Sequence, residues 1–381
     1  MTKPLFIDVH ILQTVPPSNI NRDDTGSPKT ARFGGVNRAR VSSQAWKKAT
    51  RDLFPDFLDE NEIGQRTVHA VQMISDHVME LLPDADSDQA EDAAASALAA
   101  TGINVNNGVT GYLLFIAPGQ AKALAQLAVQ HIETGEEIDK KAAKEILDIK
   151  KRPLLNAVDV AMFGRMVADA SDLNVDASVQ VAHAIGIGRM KPEFDYYTAL
   201  DDRSPEDNAG AAMIGTMEFT SATMYRYANV DVMHLCENLG SSQVACRGIE
   251  ALLKSFVMSM PTGKQNSFAN HTLPAAVVIQ LRNSQPVSLA NAFEKPVEPK
   301  GDKSQVEIGC ERLAEQEKAV DDAFGTSPQK TFVVLASPDA KVLSEALPDA
   351  INSNLETAVK GVSDACASYL NENGYPLEGE E

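Results

Sequence analysis

The segment "MIGTMEFTSATMYRYANVDV", residues 213–232, is an extended run, and what surrounds it decides the fold. Aromatic and β-branched residues recur along it, as a strand requires. After Gly240 comes "SSQVACRGIEALLKSFVMSM", residues 241–260, where serine caps precede an apolar helical period, and then "AAVVIQLR", residues 275–282, another strand. Upstream, "NVDASVQVAHAIGIG", residues 174–188, alternates through Val175, Ala177, Val179, Val181, His183, Ile185 and Ile187. Near the start, "PLFIDVHIL", residues 4–12, sets Leu5, Ile7, Val9 and Ile11 on one face, the period of a half-buried strand. Between these two strands, "RVSSQAWKKATRDLF", residues 40–54, predicts a helix capped by Ser42 or Ser43.

Strand, helix, strand, strand, helix, strand is the split βαβ, or ferredoxin-like, order of an α+β fold. Residues 58–172 read as a mostly helical insertion, with "QAEDAAASALAA" (89–100) and "IDKKAAKEILDIKKR" (138–152) as its clearest helices. "RMKPEFDYYTALDDRSPEDNAGA" (189–211) is a polar excursion joining the second and third strands. Later a helix near 304–322, the strand "TFVVLA" and a last helix pack around this core. "QTVPPSNINRDDTGSPKTARFGGVN", residues 13–37, holds too much Pro, Gly, Asn and Asp to be regular.

Charge points to a partner. The 381-residue chain carries a net charge of −19, yet "KTARFGGVNRARVSSQAWKKATR", residues 29–51, has seven Lys or Arg and no acid. Such a patch on an acidic background draws a polyanion to one groove and repels it elsewhere. On the helix, Gln44, Lys47, Lys48 and Arg51 share one face, and Trp46, Ala49 and Leu53 share the other. The pattern is that of an RNA-recognition-motif relative, a fold that hosts single-stranded RNA. Its RNP1 aromatic signature is absent, so binding would lean on the RNA backbone. "FGGVNRAR" fits two readings: glycines that let the main chain approach a phosphate with Arg38 and Arg40 as donors, or a tight turn followed by solvated charge.

Other classes are disfavoured. Cys236, Cys246, Cys310 and Cys366 are scattered, without CxxC or zinc-finger spacing, which indicates buried reduced thiols. The start lacks a basic region followed by an apolar run, and no apolar segment is long enough to span a membrane, so a cytoplasmic protein is expected. Asp23 and Asp24 in "NRDD", or Asp201 and Asp202, offer acid pairs for Mg²⁺ and hence for a metal-dependent endoribonuclease. Paired acids in turns more often act as Asx caps, and no HExxH, P-loop or Ser/His/Asp grouping accompanies them. The chain is therefore expected to be non-catalytic and free of cofactor and metal.

A resemblance narrows this further. "NINRDD", "RFGGVNRARVSSQAWKKATR", "QRTVHAVQ", "VDVAMFGRM", "VDASVQVAHAI", "FDYYTALDD", "GTMEFTSATMYRYANVDV", "GKQNSFA" and "SLANAFEKPV", in that order up to about residue 297, closely resemble the CasC backbone subunits of type I-E CRISPR Cascade. The resemblance implies an RRM-like palm (1–57, 173–188 and 212–381 with C-terminal additions), a helical finger insertion (58–172) and a β-hairpin thumb (189–211). It implies a head-to-tail polymer on a CRISPR guide RNA that presents the guide to target DNA, alongside other Cascade subunits and a recruited helicase-nuclease that does the cutting. The guide contacts it implies are Asn21, Arg22, Lys29, Ser42, Gln44, Lys47, Lys48 and Arg51, with Lys264 and Gln265 as a second palm contact. Met166 and Tyr197, with Tyr196 beside it, match wedge positions that displace a nucleotide. Lys140, Lys141 and Lys144 resemble a helix face that meets target DNA; ordinary pairing with Glu136, Glu137 and Glu145 is the other reading. Val36 departs from the pattern, since the family can carry lysine there.

Overall fold

The structure, a computed structural model, describes residues 4–199 and 213–375. Asp201, Asp202 and the acidic end of the chain lie outside the described residues.

The first strand, β1 (Phe6–Ser18), runs further than its apolar alternation. Leu5, Ile7, Val9 and Ile11 fill one side, but Asp8, His10 and Leu12 are buried on the other, so the strand is covered on both faces and is not half-buried. Asp8 and His10 mimic a solvent face in sequence because their polar partners are supplied by distant strands: Tyr227 Oη donates to Asp8 at 2.7 Å, and His10 Nδ1 meets Tyr225 Oη at 2.9 Å.

The stretch expected to be irregular contains a hairpin, β2 (Thr30–Phe33) and β3 (Val36–Val41). Gly34 and Gly35, at φ 58° and 80°, supply the two positive angles of its two-residue turn. A Cβ on Gly34 would fall on the Glu294 carbonyl oxygen, so the turn is packed against the chain. The tight-turn reading of "FGG" holds. Helix α1 (Ser43–Asp52) follows, capped by Ser42, with Trp46, Ala49 and Thr50 buried.

The insertion then builds a core of its own. Its elements are β4 (Gln65–Thr67), α2 (Ala70–Leu81), α3 (Ser87–Ala100), the short ribbon β5 (Val105–Asn106) and β6 (Val109–Thr110), β7 (Leu114–Ile116), α4 (Pro118–Thr134), α5 (Lys140–Leu147) and α6 (Val158–Phe163). Alanines such as Ala90, Ala94, Ala97, Ala121, Ala125 and Ala128 line the seam of α2, α3 and α4, small enough for close helix packing. β4 pairs with β7, a ribbon that helical periodicity does not reveal.

The second long strand expected from sequence is broken into β8 (Val179–Val181) and β9 (Ala184–Gly186). Val181 faces Ala228 but Ile185 faces Tyr225, which leaves one extra residue on this strand, a β-bulge that turns His183 outward. Strand β10 (Glu193–Ala199) pairs with the start of β11 (Met213–Asp231) as a two-stranded ribbon, and β11 continues into the main sheet. Helices α7 (Val232–Leu239), α8 (Ser242–Met258) and α9 (Gln265–Phe268), strand β12 (Ala276–Arg282), helix α10 (Gln305–Phe324), strand β13 (Lys330–Leu335), helix α11 (Val342–Ala346), strand β14 (Ile351–Asn352) and helix α12 (Leu355–Glu372) complete the chain.

The result is a mixed α+β molecule around a mostly antiparallel sheet in the order β14-β13-β12-β1-β11-β9-β3-β2, with β8 and β10 also paired to β11. Among the described strands only β13 and β14 pair in parallel. Helices α8 and α12 pack on one face through Leu252, Phe256 and Val362; the opposite face is closed by α10 and the 287–297 segment through Leu289, Phe293 and Leu313. Arg226 joins α1 to α8 and β11. It is buried, donates to Gln13 Oε1 at 2.6 Å and to the Phe256 carbonyl, and stacks on Trp46 at 3.7 Å. All four cysteines are buried and unpaired, and no helix among the described residues is long and apolar enough to cross a membrane.

Candidate nucleic-acid interface

The expected cations separate into those held by the fold and those left facing solvent. Arg38 is fully buried: its five guanidinium N–H groups go to the carbonyls of Phe33, Gly186, Ile187, Phe293 and Glu294 at 2.7–3.2 Å. It is a clamp between the β2–β3 hairpin and the 293–294 turn, with no donor left for RNA. Ser42 and Asn21 are likewise structural. Ser42 Oγ accepts from Ala45 N, and Asn21 Oδ1 accepts from Ser42 N at 2.9 Å, which moors the loop to the start of α1.

That loop is preformed. Asp23 Oδ1 accepts from Thr25 N, Thr25 Oγ1 and Ser27 N at 2.7–3.0 Å, and the Thr25 hydroxyl first among these holds the carboxyl below its ordinary range. Asp23 is the turn-closing acid of an Asx turn. Arg22 and Asp24 point to solvent beside it.

Lys29, Arg40 and His183 form a basic group at the N-terminus of α1. Arg40 donates to Thr30 O at 3.1 Å and approaches His183 Nδ1 at 3.3 Å, and Ser43 N donates to the same nitrogen at 3.2 Å. Desolvation, then the Arg40 and Lys29 charges, hold the imidazole below its usual range. His183 escaped the sequence reading because alternation placed it on an apolar strand face. Only the bulge exposes it.

Along α1, Gln44 and Lys48 are exposed, and Lys48 is tied to Asp52 at 2.5 Å on the same helix, an exposed pair worth at most about 0.5 kcal/mol. Arg51 turns away from the groove. Its Nη2 lies 2.9 Å from Asp159 Oδ2, its Nε 3.0 Å from the same oxygen, and its guanidinium sits over the Phe115 ring at 4.5 Å. Asp159 is completely buried and also accepts from Gly64 N at 2.7 Å; burial raises its pKa, and Arg51 opposes the rise. Arg51 thus fastens the insertion to α1. Lys47, one turn earlier, is half-buried with Nζ 5.7 Å from the Phe163 ring.

A groove brings together Arg22, Lys264 and Tyr197, with Phe194 and the acid Glu218 along its wall. A Cβ on Gly263 would strike Ile20 O, so only glycine lets the 262–265 loop lie against residues 19–22. Lys264, at φ 55°, is thereby presented to solvent, and Gln265 is half-buried beside it.

The expected wedge residues are exposed: Met166 at 80%, Tyr196 at 62% and Tyr197 at 40%. Met166 sits between buried Arg165 and Val167, and Arg165 is anchored to the carbonyls of Leu147 and Leu173, so the methionine projects from a rigid support. Tyr197 faces Gly215 across the ribbon and lays its ring over it, while Tyr196 and Phe194 stand on the other face. On α5, Lys140 and Lys141 are exposed without an ion pair among the described residues, and Lys144 pairs with Asp172 at 2.6 Å, not with a neighbouring glutamate.

Comparison with known proteins gives the chain its relatives. No curated protein matches. Among solved structures, a chain of a "CRISPR RNA-guided surveillance complex, pre-nicking" is similar at 29% identity and a TM-score of 0.79, over 95% of this chain and 100% of that one. A chain of another "CRISPR RNA-guided surveillance complex" shares the fold at 24% identity and a TM-score of 0.68, over 93% and 99%. The model of the CT1975-like protein family matches residues 7–360, and the chain belongs to that family.

Proposed function

We propose that this protein is a non-catalytic backbone subunit of a type I-E CRISPR surveillance complex, which polymerises along a guide RNA and presents it for pairing with target DNA. One observation carries the reading: on a chain of charge −19, the exposed cations Arg22 and Lys264 line one groove with the exposed aromatics Phe194 and Tyr197 of the β10–β11 ribbon. Similarity over nearly the whole length to a chain of an RNA-guided complex supports it. The order of β1, α1, β8–β9, β11, α8 and β12 supports an RRM-like palm, with the 58–172 insertion as finger and the ribbon as thumb. Binding through phosphates accepts any guide sequence and leaves reading to base pairing. In this reading the exposed Lys140 and Lys141, with Lys144, would meet target DNA, and the cutting would fall to a separate helicase-nuclease. Asp23 supports the non-catalytic reading, since its carboxylate already serves its own turn. The work is that of a cytoplasmic assembly with other Cascade subunits. Titration with single-stranded RNAs of increasing length, followed by mass measurement, tests this: occupancy should step upward with length, and a fixed one-to-one complex on long RNA would refute polymerisation.

A further inference from the structure

We propose that Arg66 and Lys47 form a further phosphate site for single-stranded RNA, at the seam between α1 and the helical insertion. The inference rests on the RNA-binding reading above.

The site exists because Arg51 does not serve it. Arg51 and Arg66 share one aromatic ring, their guanidinium carbons 4.5 and 5.2 Å from the centre of Phe115. The first is largely buried and bound to Asp159; the second is exposed. Arg66 stands directly opposite Phe115 in the β4–β7 ribbon, so the ring fixes its planar fork before any ligand arrives. Lys47 stands on α1 one turn before Arg51, the residue that shares the Phe115 ring with Arg66, and its Nζ lies 5.7 Å from the Phe163 ring; desolvation, then the Arg66 charge, hold its ammonium below the usual lysine range.

Two cations therefore repel one another across the seam, and neither has a carboxylate partner among the described residues. An anion between them would remove the repulsion. A phosphodiester suits the pair, since a guanidinium fork takes two oxygens and an ammonium on a flexible stem takes a third direction. The position also extends the cationic face of α1 in the direction that Arg51 would have filled. The sequence hid it because Arg66 is the lone cation of an acid-rich stretch, 52–107.

Affinity of the full-length chain for mixed-sequence single-stranded RNA, measured over a range of salt concentrations, tests the site. Arg66→Ala should weaken binding about tenfold, a loss of the size of one charge-assisted hydrogen bond. The Lys47→Ala/Arg66→Ala double variant should lower the slope of log affinity against log salt by about 0.7, the value for one single-strand phosphate. Arg66→Lys should recover part of the loss, and Lys318→Ala, on α10, should bind like the parent. If Arg66→Ala reduces the melting temperature, Arg66→Gln keeps the flat group over Phe115 and repeats the test. An Arg66 variant that binds with the affinity and slope of the parent overturns the site, whereas a parent that binds no RNA overturns the functional reading beneath it.

Discussion

Replacing Arg51 with alanine separates a structural from a nucleic-acid role more sharply than any other single change. The deletion leaves the Asp159 carboxylate fully buried with only the Gly64 N–H on Oδ1 and its own helix as support. Removing one partner of a buried ion pair costs about 3–5 kcal/mol, because the remaining charge has neither water nor counter-ion. Arg51 is itself 19% exposed, so water would reach the gap, and the expected loss is about 2–3 kcal/mol. The pH dependence follows from the sign of the Asp159 shift. Its folded pKa already lies above the ordinary 3.8, and losing Arg51 raises it further. A raised carboxyl stabilises the fold below its unfolded pKa and ceases to do so as pH climbs through the folded value. The variant should consequently lose more stability at pH 8 than at pH 5, and Arg51→Ala/Asp159→Asn should recover most of it. Urea unfolding at the two pH values measures this. A variant with parental stability whose RNA-binding salt slope falls by about 0.7 would refute the argument and return Arg51 to the guide surface.

Two further outcomes are expected. Glu317 lies buried on α10 against Gln280, near Arg282, Asp321 and Asp8, where burial raises its pKa to about 7 and that of Asp8 to about 6; stability should fall by on the order of 2 kcal/mol as pH rises from 4.5 to 7, and Glu317→Gln, followed by thermal melts, should flatten that fall. Met166→Ala and Tyr197→Ala should each change the stability of the free protein by less than about 1 kcal/mol, as exposed positions do, while altering the spacing of bases reactive to single-strand probes; a loss of 2–5 kcal/mol with unchanged probing would make them core residues.

The order of elements was legible because each one announces itself locally. Ser42 caps α1, the apolar period of α8 runs its full length, and "AAVVIQLR" falls on β12. What stayed hidden depends on contacts across hundreds of residues. Arg38, Arg51 and Arg66 are the same residue type in sequence, but one meets carbonyls near residues 186 and 293, one meets Asp159, and one lies over the Phe115 ring without a carboxylate partner among the described residues. Charge patterning therefore marked a cationic stretch without saying which of its cations the fold uses internally. The β2–β3 hairpin was masked in the same way, since its strands carry arginines that the fold uses internally and glycines that look like loop.

The second face of the sheet bears on how the interface works. An RNA-binding sheet that stacks bases must leave one face open to present aromatics. Here Tyr225 and Phe293 pack that face against α10, and buried Asp8 and Arg282 form an ion cluster with partly buried Asp321 beneath it. No base can reach this surface without unfolding α10. On the proposed function, nucleic acid would be confined to the sheet's far edge, where α1, the 19–29 loop, Lys264 and the β10–β11 ribbon meet. The groups offered there are ammonium and guanidinium donors with a few exposed aromatic faces, and these recognise phosphate and the generic flat surface of any base. If the protein carries guides of arbitrary sequence, as proposed, the indifference to sequence that this role requires would follow from covering the one surface that could have read it.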